Sequence, residues 1–316
     1  MMHTYNTQNA PLFFWAIGDL HYRTMPAWNE FHTQRLALMF DDLHDIWQQE
    51  GQPAFCVSPG DIIETSSSGN YQLAHTTLLQ EMAGVPFYPG IGNHEYFSLD
   101  NEPSILMRER FQTVWGYPVR YHWQAGDFIC IMLDYPDPFT LADPGRVYIS
   151  PETLRFLDET LAANASHPAI IFLHCPLRDT VLARNLAADS DFSSTQSFFS
   201  PENSQEVLDI LAHHNNACLF ISGHTHSGWE APNLVKTEQV GEHPITFVNL
   251  MSPWYTGAHM GPKLNLGGQP FSYIPDNPDL IPSFAIHIEN NQVTVRLREH
   301  LSRRWLKTWK CPCLSS

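Results

Sequence analysis

Short apolar runs ending in Gly-Asp, Pro-Gly-Asp or a similar polar turn recur along the chain, separated by longer stretches with apolar residues every three or four positions. A short continuous apolar run bounded by turn residues is the pattern of a strand buried on both faces, and the longer spacing is that of an amphipathic helix. Leu12–Ile17, Ala54–Ser58 and Val85–Tyr88 are the first three predicted strands. Between the first two, Phe31–Gln49 carries Leu36, Met39, Phe40, Leu43, Ile46 and Trp47 at helical spacing, and Gly51 and Pro53 end it. Tyr71–Met82 and Ile105–Trp115 also read as helices, and Val119–Asp134 predicts a hairpin turning at Ala125-Gly126-Asp127.

The clearest helix follows Ser150, a capping serine, with Pro151 at the first helical position and Leu154, Phe156, Leu157 and Leu161 on its apolar side. Strand Ala169–Leu173, helix Gln205–His213 and strand Ala217–Ile221 come next. Near the end, Ile245–Leu250 reads as a strand, as do Phe284–Ile288 and Val293–Leu297, joined at Glu289-Asn290-Asn291-Gln292. The Gly-, Pro- and Asn-rich stretch from Trp254 to Pro282 predicts a long surface loop. The pattern implies an α/β domain with parallel and antiparallel strands covered by helices, spanning 1–300, followed by a short basic tail, 301–316.

Composition narrows the function. With 316 residues, 43% hydrophobic and 16% charged, the chain can bury a sizeable core. Its net charge of −16 repels a phosphate backbone and disfavours generic nucleic-acid binding. A small phosphorylated substrate stays open, because bound cations can reverse the field locally. No apolar run reaches the ~18 residues of a membrane-spanning helix. The N-terminus lacks a basic segment, and Leu12–Ile17 is too short for a signal-peptide core. The expectation is a cytoplasmic protein in which Cys56, Cys130, Cys175 and Cys218 are small buried thiols and the Asn164-Ala-Ser166 sequon has no meaning.

The chemistry lies where the strands end. The first delivers Asp19 and His21, the second Asp61, and the third the turn Gly92-Asn93-His94-Glu95. Ala169–Leu173 delivers His174, and Ala217–Ile221 delivers His224 and His226. Ligands of open α/β sheets gather beyond the carboxyl ends of strands, where such loops converge. Imidazoles mixed with carboxylates suit Fe, Mn, Zn or Co rather than Ca or Mg alone. The set is too large for one tetrahedral metal with an open position, and two metals sharing a carboxylate account for it better.

The order Asp-x-His, Gly-Asp, Gly-Asn-His-Glu, His, Gly-His-x-His resembles that of the calcineurin-like metallophosphoesterase superfamily, and the five blocks from Asp19 to His226 cover about two thirds of the chain. The resemblance implies a four-layer α/β/β/α sandwich of two mixed sheets flanked by helices. It implies that Asp19, His21, Asp61 and His226 hold one metal, and that Asp61 bridges to a second completed by Asn93, His174 and His224. His94 would be the catalytic histidine. The implied cofactors are two divalent or trivalent transition-metal ions (Mn, Fe or Zn), and a metal-bridging hydroxide would attack phosphorus.

The pattern departs from that of several branches. Glu64 stands where many members have aspartate, Ile91 where protein Ser/Thr phosphatases have arginine, and the Gly60-Asp61-Ile62-Ile63 stretch lacks the metal-ligating tyrosine of purple acid phosphatases. The motifs are most similar to the branch containing class III cyclic-nucleotide phosphodiesterases. The leading expectation is therefore a phosphodiesterase acting on a small substrate, nucleotides among the candidates. A phosphomonoesterase or nucleotide pyrophosphatase is the runner-up, and a metal-binding scaffold or a nuclease are the rivals.

Around these motifs, Arg23 and Arg178 are candidates to grip a phosphate oxygen or to form surface ion pairs. Trp229, Tyr255 and His259 are candidates to line the pocket or stack on a base. The remaining histidines, His44, His75, His213 and His214 among them, read as solvated or helix-face residues. The final Cys313-Leu-Ser-Ser loosely matches a prenylation box, but its third position is Ser315 rather than an aliphatic residue. The tail reads as an ordinary terminus, frayed or packed, with metal binding or oxidation at Cys311 and Cys313 the alternatives.

Overall fold

The apolar run after residue 11 forms strand β1 (Leu12–Ala16), whose two faces are buried against different neighbours. Phe14 and Ala16 join an apolar layer with Phe172, Ile170, Phe284 and Leu219, all strand residues. Trp15 joins a second layer with the helix residues Leu36, Met39, Phe40 and Leu43. A strand apolar on both faces needs cover on both, and the structure supplies a sheet on one side and helices on the other.

The computed structural model describes residues 10–100, 102–135, 147–180, 182–185, 190–193, 199–227, 233–254 and 280–313. After β1 come α1 (Pro26–Glu50), β2 (Cys56–Ser58), α2 (Ser68–Glu81), β3 (Phe87–Pro89) and α3 (Ser104–Trp115). The hairpin β4 (Tyr121–Ala125) and β5 (Phe128–Met132) leads to α4 (Pro151–Ala163) and β6 (Ala169–Phe172). A separate two-stranded hairpin, β7 (Leu182–Asn185) and β8 (Ser190–Ser193), precedes α5 (Ser204–His213) and β9 (Ala217–Ser222). The chain ends with β10 (Val235–Val240), β11 (His243–Asn249), β12 (Pro282–Glu289), β13 (Gln292–Glu299) and β14 (Arg304–Pro312).

One sheet runs in the order β14-β13-β12-β1-β2-β3 and the other β10-β11-β9-β6-β5-β4. β1, β2 and β3 are parallel, as are β5, β6, β9 and β11, while the outer strands add antiparallel. This is the mixed, four-layer α/β/β/α sandwich that the resemblance implies. Its parallel strands all empty toward the same loops, so the motif residues converge there.

The structure moves some predicted boundaries. Helix α1 begins at Pro26 rather than Phe31, because Pro26 is preset for the first turn and Trp28 is buried there. Asn290 and Asn291, at φ 51° and 57°, form the tight β12–β13 turn. Left-handed dihedrals at both positions are what a two-residue hairpin with right-handed strand twist requires. Most of the stretch read as a Trp254–Pro282 loop lies outside the described residues, apart from its ends. The segment read as a tail contains β14, an edge strand paired with β13. Its alternation escapes notice because basic residues flank Trp305 and Trp309 and blunt an exposed edge. Cys313 is buried, so the segment is packed as far as that residue.

Helix α1 is tied to the far end of β13 by a buried polar chain. Trp15 Nε1 donates to Ser283 Oγ (2.7 Å), Ser283 Oγ meets His300 Nε2 (2.6 Å), and His300 Nδ1 donates to Asp42 (2.8 Å). Arg298 adds a bidentate pair to Asp42, both bonds 2.7 Å. Burial works against the Asp42 charge, but these bonds outweigh it and pull its carboxyl from 3.8 down to about 2. This stabilisation is present above pH 4 and is lost as pH falls through the folded value. Asp42→Asn is therefore expected to cost roughly 3 kcal/mol at pH 7 in urea unfolding, with the difference from wild type shrinking below pH 4.

Candidate metal centre

The motif loops are held in backbone conformations that side-chain-bearing residues seldom adopt. Asp19, His21, Asp61, His224 and His226 have φ of 27°, 51°, 52°, 70° and 47°. Left-handed dihedrals at non-glycine residues are unfavourable and cluster at functional sites, where the surroundings enforce them. The enforcement begins in the backbone. His21 N donates to the Asp61 carbonyl and Tyr22 N to the Ile62 carbonyl, both at 2.9 Å, so the loops after β1 and β2 are joined. On the second sheet, Gly223 N donates to the His174 carbonyl at 2.8 Å. Gly92 and Gly223 are required for close approach, since a Cβ there would lie 2.3 Å from Asp61 Oδ1 and 2.5 Å from Asp19 Oδ2 respectively.

Six predicted residues meet around the seventh, Asp61. Asp19, His21, Asp61 and His226 present ligand-type atoms within 4.8 Å of one another, and Asp61, His174 and His224 do the same. Asp61 belongs to both groups. Its Oδ2 lies 3.1 Å from His174 Nε2, of one group, and 4.0 Å from His21 Nε2, of the other. Asn93 Oδ1 lies 3.1 Å from the same His174 nitrogen, and His226 Nε2 is 3.5 Å from Asp19 Oδ1 and 3.2 Å from His21 Nε2. All of these residues are buried.

The donor chemistry fits cations. Asp19 Oδ2 and His174 Nδ1 are buried without a hydrogen-bond partner among the described residues. Burial and the neighbouring Asp61 charge push the Asp19 carboxyl well above the usual carboxylate range, with the His224 N–H opposing. Burial also works against the Asp61 charge, but His174 and His94 outweigh it and hold this carboxyl well below that range. Buried carboxylates and imidazoles converging with one another are costly unless positive charge is supplied.

Glu64 and Glu95 have distinct tasks. Glu64 Oε2 accepts from His21 Nδ1 at 2.8 Å, which turns the Nε2 lone pair toward His226 and Asp61. Glu95 accepts from the backbone N–H groups of Asp61 (3.0 Å), Ile62 (2.9 Å), Ile63 (3.2 Å) and Gly92 (2.6 Å), binding the second and third motif loops together. This explains a carboxylate after Asn93 and His94: Glu95 faces the backbone.

His94 stands at the edge of the cluster, its side chain 18% exposed. Its N–H donates to Asp61 Oδ1 (2.9 Å), and its Nδ1 donates to the Glu64 carbonyl (2.8 Å), leaving Nε2 as the titrating nitrogen. Burial opposes charge on the ring, but Asp61 and Glu64 outweigh it and raise the His94 value above that of an ordinary imidazole.

Of the outlying candidates, Arg178 pairs with Glu202 at 2.9 Å and Arg23 lies 5.3 Å from the Trp28 ring. Trp229, Tyr255 and His259 fall outside the described residues. Several contributors carry no motif. Buried Tyr135 lies 5.5 Å from the His174 ring and 5.9 Å from that of His224. Asn249 donates to the Gly223 carbonyl (2.7 Å) and accepts from Thr225 (2.6 Å), bracing the Gly-His-x-His loop. A polar residue at the end of an apolar strand, as in Asn249, is the one signal that points to such a role.

Comparison with known proteins agrees with this geometry. No curated protein sequence matches the chain significantly. Among solved structures, a dimetal phosphatase from Danio rerio superposes with a TM-score of 0.57 at 15% identity, covering 96% of this chain and 99% of that one. The purple acid phosphatase PPD1 of yellow lupin (Lupinus luteus) gives 0.59 at 13% identity, over 98% of this chain and 55% of its own. GAP50, the anchor in the inner membrane complex of Plasmodium, gives 0.55 at 14%, over 97% and 90%. At these identities the likeness is one of fold. The family itself is shown by the sequence model for calcineurin-like phosphoesterases, which matches residues 14–228 and takes in every motif loop of the centre, so the chain belongs to that family.

Proposed function

We propose that the protein is a binuclear-metal phosphodiesterase acting on a small substrate. The observation that supports this reading most strongly is the placement of Asp61 between two ligand groups, with His94 on the adjoining turn. Asp19, His21, Asp61 and His226 would hold one cation, and Asp61, Asn93, His174 and His224 the other. When bound, the two transition-metal ions supply charge neutralisation for a phosphoryl group and activation of the attacking water. The chain's own part is to orient the reactants. Glu64 fixes His21, Glu95 fixes the Asp61 and Asn93 loops, and His94, positioned through its Nδ1, offers Nε2 to the departing oxygen.

Electrostatics favour a diester over a monoester. Glu64 places a carboxylate 3.5 Å from His94, which disfavours the second negative charge of a monoester. Arg178 is already engaged by Glu202. Metal-stripped protein resupplied with Mn(II) is expected to hydrolyse bis-p-nitrophenyl phosphate faster than p-nitrophenyl phosphate, and neither without metal. Monoester turnover alone would replace the diester reading with the phosphomonoesterase one, and metal binding without turnover of either would favour a scaffold.

A further inference from the structure

We propose that one face of α1, carried by Trp28, His32 and Arg35, sets the conformation of the Asp19-Leu20-His21 turn and thereby the cation affinity of the centre. The inference rests on the binuclear reading above. Asp19 and His21 both have left-handed φ, and the turn between them points their side chains at the cluster. Its three consecutive carbonyls accept side-chain hydrogen bonds. Ser252 Oγ donates to that of Asp19 (2.7 Å), His32 Nε2 to that of Leu20 (2.5 Å), and Trp28 Nε1 to that of His21 (3.2 Å).

Trp28, His32 and Arg35 lie at i, i+4 and i+7, hence on one face of the helix, and all three are buried. Trp254 joins that face to the segment after β11: its ring lies 4.8 Å from that of Trp28 and 5.1 Å from that of His32, and its backbone N–H donates to Ser252 Oγ at 3.2 Å. Arg35 donates to the carbonyls of Pro253 (3.1 Å) and Leu280 (2.8 Å), fixing the segment that carries Ser252. A helix and a loop far apart in the sequence thus bond to one unfavourable turn, and such strain persists only where the surroundings over-determine it. Each donor meets a carbonyl of a buried residue, and removing a donor from a buried hydrogen bond is costly. Trp28, His32 and Ser252 are positioning residues, since they touch the turn's backbone and none belongs to the ligand groups.

The test is calorimetric titration of metal-stripped protein with Mn(II), run on wild type, His32→Leu, His32→Gln, Trp28→Phe and Leu43→Ala. Outer-shell partners of metal ligands typically change affinity by 10–100-fold, so His32→Leu is expected to weaken Mn(II) binding by about that factor, and Trp28→Phe by about tenfold. His32→Gln retains an N–H donor and is expected to recover most of the affinity. Leu43→Ala removes a fully buried side chain from the same helix away from the turn, and is expected to lower the melting temperature while leaving affinity at the wild-type level. Wild-type affinity in Trp28→Phe and His32→Leu overturns the inference, as does an equal loss in Leu43→Ala. If His32→Leu does not fold, Trp28→Phe decides. Wild-type protein that binds no Mn(II) overturns the binuclear reading itself.

Discussion

Asp19→Asn is expected to lower phosphoester turnover by roughly a thousandfold or more, about 4 kcal/mol of transition-state stabilisation, and to abolish Mn(II) binding at one of the two positions. The same substitution is expected to make the metal-free protein more stable. Asp19 is fully buried, and burial together with the Asp61 charge raises its carboxyl well above the usual range. From about pH 4 upward the unfolded chain has released this proton while the metal-free fold retains it, so the fold loses stability as pH rises through that window. Asparagine keeps an oxygen to accept the His224 N–H, a 2.9 Å bond, and removes the charge. Urea unfolding of metal-free protein at pH 5 and pH 8 should show wild type losing ground to the variant as pH rises. Equal metal binding in the two proteins would remove Asp19 from the ligand set.

His94→Ala is expected to act on rate and not on metal. A positioned general acid is worth about 10²–10⁴-fold, and the loss should be greater for an alkoxide leaving group than for p-nitrophenolate, which departs without a proton. Mn(II) affinity should stay close to wild type, because the contact between this turn and Asp61 is made by the backbone N–H of residue 94, which alanine keeps. The checks are kcat on a series of diesters of graded leaving-group basicity, beside a Mn(II) titration of the variant. A loss independent of the leaving group would place His94 in substrate binding. A parallel fall in metal occupancy would make it a ligand, which its proximity to His21 and Glu64 allows.

Asp19 and Asp61 are held in opposite states by their surroundings. Histidines hold Asp61 ionised while Asp19, beside it, is held toward its neutral form. Two environments a few ångströms apart thus hold two neighbouring carboxyls in opposite protonation preferences, as the proposed bridging role of Asp61 would need. Burying both costs stability in the metal-free fold, a cost natural sites accept where ligands must be preorganised.

Much of the architecture is legible in the amino-acid sequence because its strands are short, apolar on both faces and ended by glycine-containing turns. Leu12–Ile17 and Ala217–Ile221 lie close to β1 and β9 for that reason. The motif residues are legible too, since each is fixed by its place just after a strand. The strands β10 and β14 are hidden by alternating polar and basic residues, and the true start of α1 by the single apolar anchor Trp28. What only the tertiary structure decides is which group meets which across the sandwich. Glu95 could as well have been a ligand until its bonds to four backbone N–H groups are seen. The bonds of Trp28, His32 and Ser252 to one turn depend on sheet order and helix placement: Ser252 lies 233 residues from Asp19. Local sequence determines strand ends and the chemistry they present. The conformation that gives the chemistry its geometry is set by contacts between distant segments, and those exist only once the two sheets are packed.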